Sequence, residues 1–207
     1  MPKLKDYRDL IGEIPIGRHS EEVKMEFWQN DFEATKFSSI YTKIFGVNPT
    51  ARISRGKIIA TPNGLEKCAM ILLWGYTTGM RGNQHRNYLK NLRNICRVCS
   101  SHPKSWDNFY ESAKRIGNLG ISTITKLAYF HSFKFKNTPA LILDQQIIDV
   151  LRTGRWDELK DLSSIGYWNA HRRYVEYLEW MKIVASNLNV KGAQLEFFLF
   201  GMGKLFD

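Results

Sequence analysis

The segment Leu65 to Trp74 (LEKCAMILLW) constrains the fold more than any other, because it is apolar on nearly every side of a helix. Such a helix cannot lie on a surface, so other elements have to wrap it. Those elements also read as helices. Ser20-Glu21-Glu22-Val23 has a capping serine and acids in the first turn, and predicts a helix, interrupted near Asn30-Asp31, that runs to Phe45. Gly46 and Pro49 stop it. Arg52 to Ala60 alternates weakly and reads as a short extended piece, before a turn at Pro62-Asn63-Gly64. Gly75 to Asn83 is a loop with three glycines. Gln84 to Ser100 reads as one amphipathic helix, with Leu89 and Leu92 toward the core and Arg86, Lys90, Arg93 and Arg97 on its polar face. Further helices are expected from Pro103 to Ile116, Trp156 to Leu162, Tyr167 to Ser186 and Ala193 to Phe200. No strand hairpin and no internal repeat is expected. The class is all-α, and any division is into two helical lobes with a cleft between them.

Thirty Lys and Arg against twenty Asp and Glu leave a net charge of +10. A polyanion is therefore the expected large partner, because each phosphate neutralised releases counterions. Aromatic residues make up 13% of the chain, which excludes a disordered composition. No apolar run is long enough to span a bilayer, and Met1 to Asp6 carries charges where a signal peptide needs an apolar core. A soluble intracellular protein is expected. The three cysteines, Cys68, Cys96 and Cys99, are too few for a disulfide framework or a four-cysteine iron–sulfur cluster. Cys96 and Cys99 form a C-x-x-C, yet Tyr88, Leu92, Ile95, Cys96 and Cys99 share one helical stripe, and no second pair stands nearby in sequence. They read as core thiols, and no metal site is expected.

The stretch from Arg115 to Leu151 carries the chemistry. Gly117-Asn118-Leu119-Gly120 is a turn, Ser122 is the expected N-cap of a short helix, and Lys126 lies about one turn in. A basic loop runs to Pro139, and Leu141-Ile142-Leu143 delivers Asp144 to the start of another helix. A tight glycine turn between helices leaves backbone N–H groups and a dipole end that suit a phosphate. Gly117 and Gly120 permit the turn and a close approach, and Ser122, Thr123 and Thr125 add hydroxyls. Contacts of this kind position DNA without reading its sequence. Lys126 near a helix start feels the positive dipole end, which favours the neutral, nucleophilic amine. An amine that attacks C1′ of a nucleotide displaces the base and leaves a Schiff base. The carboxylate of Asp144 can stabilise an oxocarbenium-like sugar, or activate a lysine or a water. The plain alternatives stay open, with Lys126 a solvated charge and Asp144 an N-cap alone.

In LGISTITKLAYF and PALILDQQIIDVL, a lysine-bearing hairpin is followed eighteen residues on by an aspartate after an apolar run. That order resembles the helix-hairpin-helix DNA glycosylases of the endonuclease III and 8-oxoguanine glycosylase superfamily. The similarity is closer to a compact bacterial branch with an 8-oxoguanine glycosylase fold. It lies in T-K-x-x-Y-F at Thr125 to Phe130, L-I-L-D at Leu141 to Asp144, W-G-Y at Trp74 to Tyr76, and the segment Glu196 to Phe200. It covers Leu65 to Leu151 well and the rest weakly. The superfamily hairpin usually reads L-P-G-V-G with the lysine within two residues. Here Gly120-Ile121-Ser122 stands at G-V-G and Lys126 follows four residues after Ser122, about half a helical turn late. Two options follow. Either the hairpin is longer and Lys126 is the nucleophile, or the enzyme is monofunctional and Asp144 works with water.

The resemblance implies one helix-hairpin-helix glycosylase domain over residues 1–207, with the hairpin and catalytic segment at about 104–151. It implies a monomer that binds double-stranded DNA, flips one modified nucleotide and cleaves its N-glycosidic bond, with no metal or cofactor, in a prokaryotic cytoplasm near the nucleoid. Lys126 and Asp144 are its implied catalytic groups, with AP-lyase activity if Lys126 reacts. Tyr76 or Thr77 would fill the gap or stack on a base. Arg81, Asn83, His85 and Arg86 would hold phosphates or the orphan base. The base is oxidised guanine in base-excision repair, or a modified cytosine of phage DNA removed in antiviral defence. Two non-enzymatic readings compete: a DNA-binding protein that retains only the hairpin, and an RNA-binding helical protein.

Overall fold

Helices dominate the chain, as the apolar periodicity requires, and the class is all-α, with two short antiparallel strand pairs among the described residues. The computed structural model describes residues 3–77, 84–117 and 119–201, and for residues 84–86 the backbone alone. The chain divides into two compact units, Met1–Ile16 with Ser132–Asp207, and Gly17–His131.

The discontinuous unit starts with a 3-10 turn at Leu4–Tyr7 and helix α1 (Arg8–Glu13). The second unit then opens with strand β1 (Ser20–Lys24), where the sequence predicts a helix start. The acids of Glu21 and Glu22 do not serve a helix dipole. The segment pairs instead with β2 (Thr50–Ser54), which places Glu22 opposite Arg52 and buries Val23, Ala51 and Ile53. A partner thirty residues away is invisible to a local pattern. Between the strands, the expected long helix is two short ones, α2 (Gln29–Ala34) and α3 (Ser38–Phe45), and α3 ends at Gly46 with φ +61°. The extended piece after residue 52 is brief, because Ser54 caps α4 (Arg55–Ala60) by accepting from the Lys57 N–H.

Helix α5 (Leu65–Gly75) is the buried centre that its sequence predicts, with Cys68 to Leu73 at most 1% exposed. It packs on α3, β1, α7 (Leu92–Ser100) and α9 (Ile121–Phe130). The expected single helix from Gln84 to Ser100 is split at Asn91 into α6 (Gln84–Lys90) and α7. Ser105 caps α8 (Trp106–Lys114) through the Asn108 N–H at 3.2 Å.

After His131 the first unit resumes. The expected basic loop contains a tight hairpin, β3 (Lys134–Phe135) with β4 (Thr138–Pro139), turned by Lys136 and Asn137 at φ 48° and 62°. Two positive φ values at the turn centre match the twist of the flanking strands. Helix α10 (Gln145–Arg152) follows Asp144, and Gly154 (φ +60°) leads out of it. A 3-10 segment at Asp157–Leu162 precedes α11 (Ala170–Leu188) and α12 (Gly192–Gly201). The core of this unit is aromatic. Tyr7, Trp156 and Phe198 meet at centroid distances of 5.6 to 5.8 Å, and Tyr174 and Tyr177 are fully buried. No helix among the described residues is long and apolar enough to cross a membrane.

Candidate active site

Asp144 stands where a buried segment meets a helix. Its backbone is extended (φ −108°, ψ −179°), and its Oδ1 accepts the Ile147 N–H at 3.1 Å, an N-cap bond to the third residue of α10. The approach to it, Ala140 to Leu143, is at most 5% exposed, so its peptide groups need partners inside the protein. Two helices provide them. The Tyr174 hydroxyl accepts the Leu141 N–H at 3.2 Å and donates to the Leu141 carbonyl. The Tyr177 hydroxyl donates to the Ile142 carbonyl at 3.0 Å, and Glu196 Oε2 accepts the Ile142 N–H at 3.1 Å. All three side chains are fully buried. Burial pushes the Tyr174 phenol well above its ordinary range, which keeps its proton available for the carbonyl. Asp144 is 9% exposed, and among the described residues only its Oδ1 is engaged.

Lys126 has a different setting, within the second unit. It is the sixth residue of α9 and 9% exposed. Its stem runs over Gly75, where an added Cβ would lie 3.4 Å from Lys126 Cδ and 3.7 Å from Nζ. Nζ donates to Ser122 Oγ at 3.0 Å and lies 5.9 Å from the centre of the Trp74 ring. Arg55, 1% exposed, stands 5.3 Å from the same ring and 5.2 Å from that of Tyr129, and its Nε donates to His19 Nδ1 at 3.1 Å. Two cations thus share one indole. Trp74 also meets His19 and Phe130 edge-on, and its indole N–H, on a residue 6% exposed, has no acceptor among the described residues.

The expected N-cap at Ser122 is corrected. Gly120 caps α9 with ordinary φ (−77°), Ile121 starts the helix, and the Ser122 hydroxyl is free of the capping role and turns to Lys126, one turn on. Gly117, at φ +62°, is the glycine the turn demands, and its carbonyl accepts from Asn87 Nδ2 at 3.3 Å. Thr123 and Thr125, the other hydroxyls expected at the hairpin, are buried. They are 2% and 0% exposed, the Thr125 hydroxyl donates to the Ser122 carbonyl, and the Thr123 hydroxyl is paired with that of Tyr76. Tyr76 and Thr77 are half-buried just past α5, and the Tyr76 ring is 6.3 Å from that of Tyr88. Arg81 and Asn83 lie outside the described residues. Arg86 lies in the first turn of α6, and its backbone alone is described.

Lys126, Ser122, Thr123, Tyr76 and Trp74 therefore gather at one place in the second unit, while Asp144 is built independently in the first. Sequence reasoning misses Arg55, whose neighbours give no local sign of burial. It also misses the clamp on residues 141 and 142. A signal exists for that: Glu196 interrupts the apolar run Leu195 to Phe200, and a carboxylate there has to find a buried donor.

A family model described as "Putative 8-oxoguanine DNA glycosylase OGG-like protein" matches residues 15–200. A search of curated proteins finds no match, and a search of solved structures finds none.

Proposed function

Because the chain belongs to the OGG-like family of 8-oxoguanine DNA glycosylases, we propose that it excises a modified base from duplex DNA, with Asp144 and Lys126 as the reacting groups. The observation that carries this reading is the fixed carboxylate. Asp144 is oriented by the Ile147 N–H, and the peptides before it are held by Tyr174, Tyr177 and Glu196. Such preorganisation is what charge stabilisation in a transition state needs, because the carboxylate has little left to reorganise as charge develops.

The Lys126 amine, in its neutral form, attacks C1′ of a flipped nucleotide. The C1′–N bond breaks, and the base leaves with the electron pair and takes up a proton. Asp144 stabilises the positive sugar during that step and accepts the proton that the amine loses. The C1′–O4′ bond then breaks, O4′ takes the proton held on Asp144, and a Schiff base is left on Lys126; loss of a C2′ proton and the 3′ phosphate from it is the AP-lyase step. Lys126 is 9% exposed, and its Nζ and the Arg55 guanidinium both lie near the Trp74 ring. Tyr76 and Thr77 fill the gap left by the flipped base. Gly117, Gly120 and Ser122 face a phosphate, Arg81 and Arg86 add positive charge along the strand, and Asn83 adds an amide donor. The base is oxidised guanine, after the family's description.

The test is a panel of duplexes that carry 8-oxoguanine, uracil, alkylated bases or glucosylated hydroxymethylcytosine, with free base detected by mass spectrometry. Release of 8-oxoguanine alone is the expected result. Release of another base instead keeps the chemistry and replaces the substrate. Release of none, with tight duplex binding, would reduce the protein to a DNA-binding module.

A further inference from the structure

Three soft donors from distant parts of the sequence converge inside the second unit. Cys68 lies on α5, Cys99 in the last turn of α7, and His131 caps the C-terminus of α9. Their ligand atoms all lie within 4.8 Å of one another, and the three residues are 0%, 1% and 8% exposed. Cys68 Sγ is 3.7 Å from His131 Nε2. Cys96, one turn before Cys99 on the same helix, is half-buried. All three cysteines are free thiols.

We propose that Cys68, Cys99 and His131, with Cys96 as the fourth ligand, hold a structural zinc ion that ties α5, α7 and α9 together. The distances suit the metal. Zinc–sulfur and zinc–nitrogen bonds of about 2.3 and 2.05 Å, in a tetrahedron, separate sulfur from nitrogen by about 3.6 Å and two sulfurs by about 3.8 Å. The sulfur–imidazole pair is already at that spacing, and the widest separation the cluster allows has to close by about 1 Å. The donor chemistry selects the ion. Two or three thiolates with one imidazole and no carboxylate suit zinc, and give hard oxygen-seeking cations such as Mg2+ and Ca2+ nothing to bind. The ligands come from three helices, so the ion would act as a cross-link and not as a local clip. Its consequence reaches the lysine site, because α5 ends in Trp74 and Gly75 and α9 carries Ser122 and Lys126.

The test uses untagged full-length protein purified under reducing, chelator-free conditions. Elemental analysis should give about one zinc per chain. Replacement by Co2+ should give the thiolate charge-transfer and visible d–d bands of a tetrahedral site. Cys96→Ser should keep a weaker site, with Co2+ affinity lowered about tenfold or more, because three ligands remain. The wild-type result alone is decisive, whatever happens to the fold of any variant. Metal content near zero and no Co2+ bands, in protein whose three thiols all react after unfolding, would overturn the proposal. A single reactive thiol after unfolding would overturn it too, in favour of a disulfide.

Discussion

Asp144 and Lys126 are each buried to the same degree, yet the protein holds them in opposite ways. Asp144 is held through the backbone. One capping bond orients its carboxylate, and three buried side chains from α11 and α12 grip the peptides of residues 141 and 142. Lys126 is held through its side chain, with its stem against Gly75, its amine on Ser122 and Nζ near the Trp74 ring. A carboxylate that must stabilise a passing charge gains from rigidity. An amine that must attack, and later let go, needs a perch it can leave. The contrast teaches that the two groups should fail differently when their supports are cut.

Lys126→Ala should give the largest effect. Borohydride trapping of the protein on a base-modified duplex should be lost entirely, because the only amine proposed to form the Schiff base is gone. Undiminished trapping would show that another amine reacts. Next in size is Glu196→Ala, which leaves the Ile142 N–H buried without its acceptor. It should cost about 1 to 3 kcal/mol in urea unfolding and slow base release as well. An unchanged unfolding midpoint would show that the clamp is idle. Tyr177→Phe removes one donor to the Ile142 carbonyl and should cost about 1 kcal/mol. Gly75→Ala should be milder still in stability. Its new Cβ meets the Lys126 stem at 3.4 Å, so trapping should slow a few-fold while the release of base in the absence of borohydride falls by no more than that. A loss in trapping as complete as that of Lys126→Ala would mean that the perch is rigid, not leavable.

The same contrast separates what was legible in the sequence from what was not. Asp144 was readable as an N-cap because an apolar run before it and helical periodicity after it are local signals, and the structure has that bond. Leu65 to Trp74 was readable as the buried centre for a similar reason. Local signals misled at Ser20, where a cap and acids imitate a helix start and pairing with residues 50 to 54 decides the outcome. They misled at Ser122 by two residues, since Gly120 ends the loop without any side-chain cap. Contacts made by folding were beyond reach. Nothing near Arg55 announces that its guanidinium joins Trp74, and Cys68, Cys99 and His131 stand more than thirty residues apart in order before the helices bring them together.

The most direct test of the chemistry is single-turnover base release by wild-type protein and by Asp144→Asn, measured on the same duplex with free base as the readout. Asparagine caps a helix about as well as aspartate, so the unfolding midpoint should hardly move. The expected result is a fall in the release rate of about a hundredfold or more, with duplex binding kept. Release at the wild-type rate by a folded Asp144→Asn protein would contradict the role of this carboxylate and leave Asp144 as a helix cap.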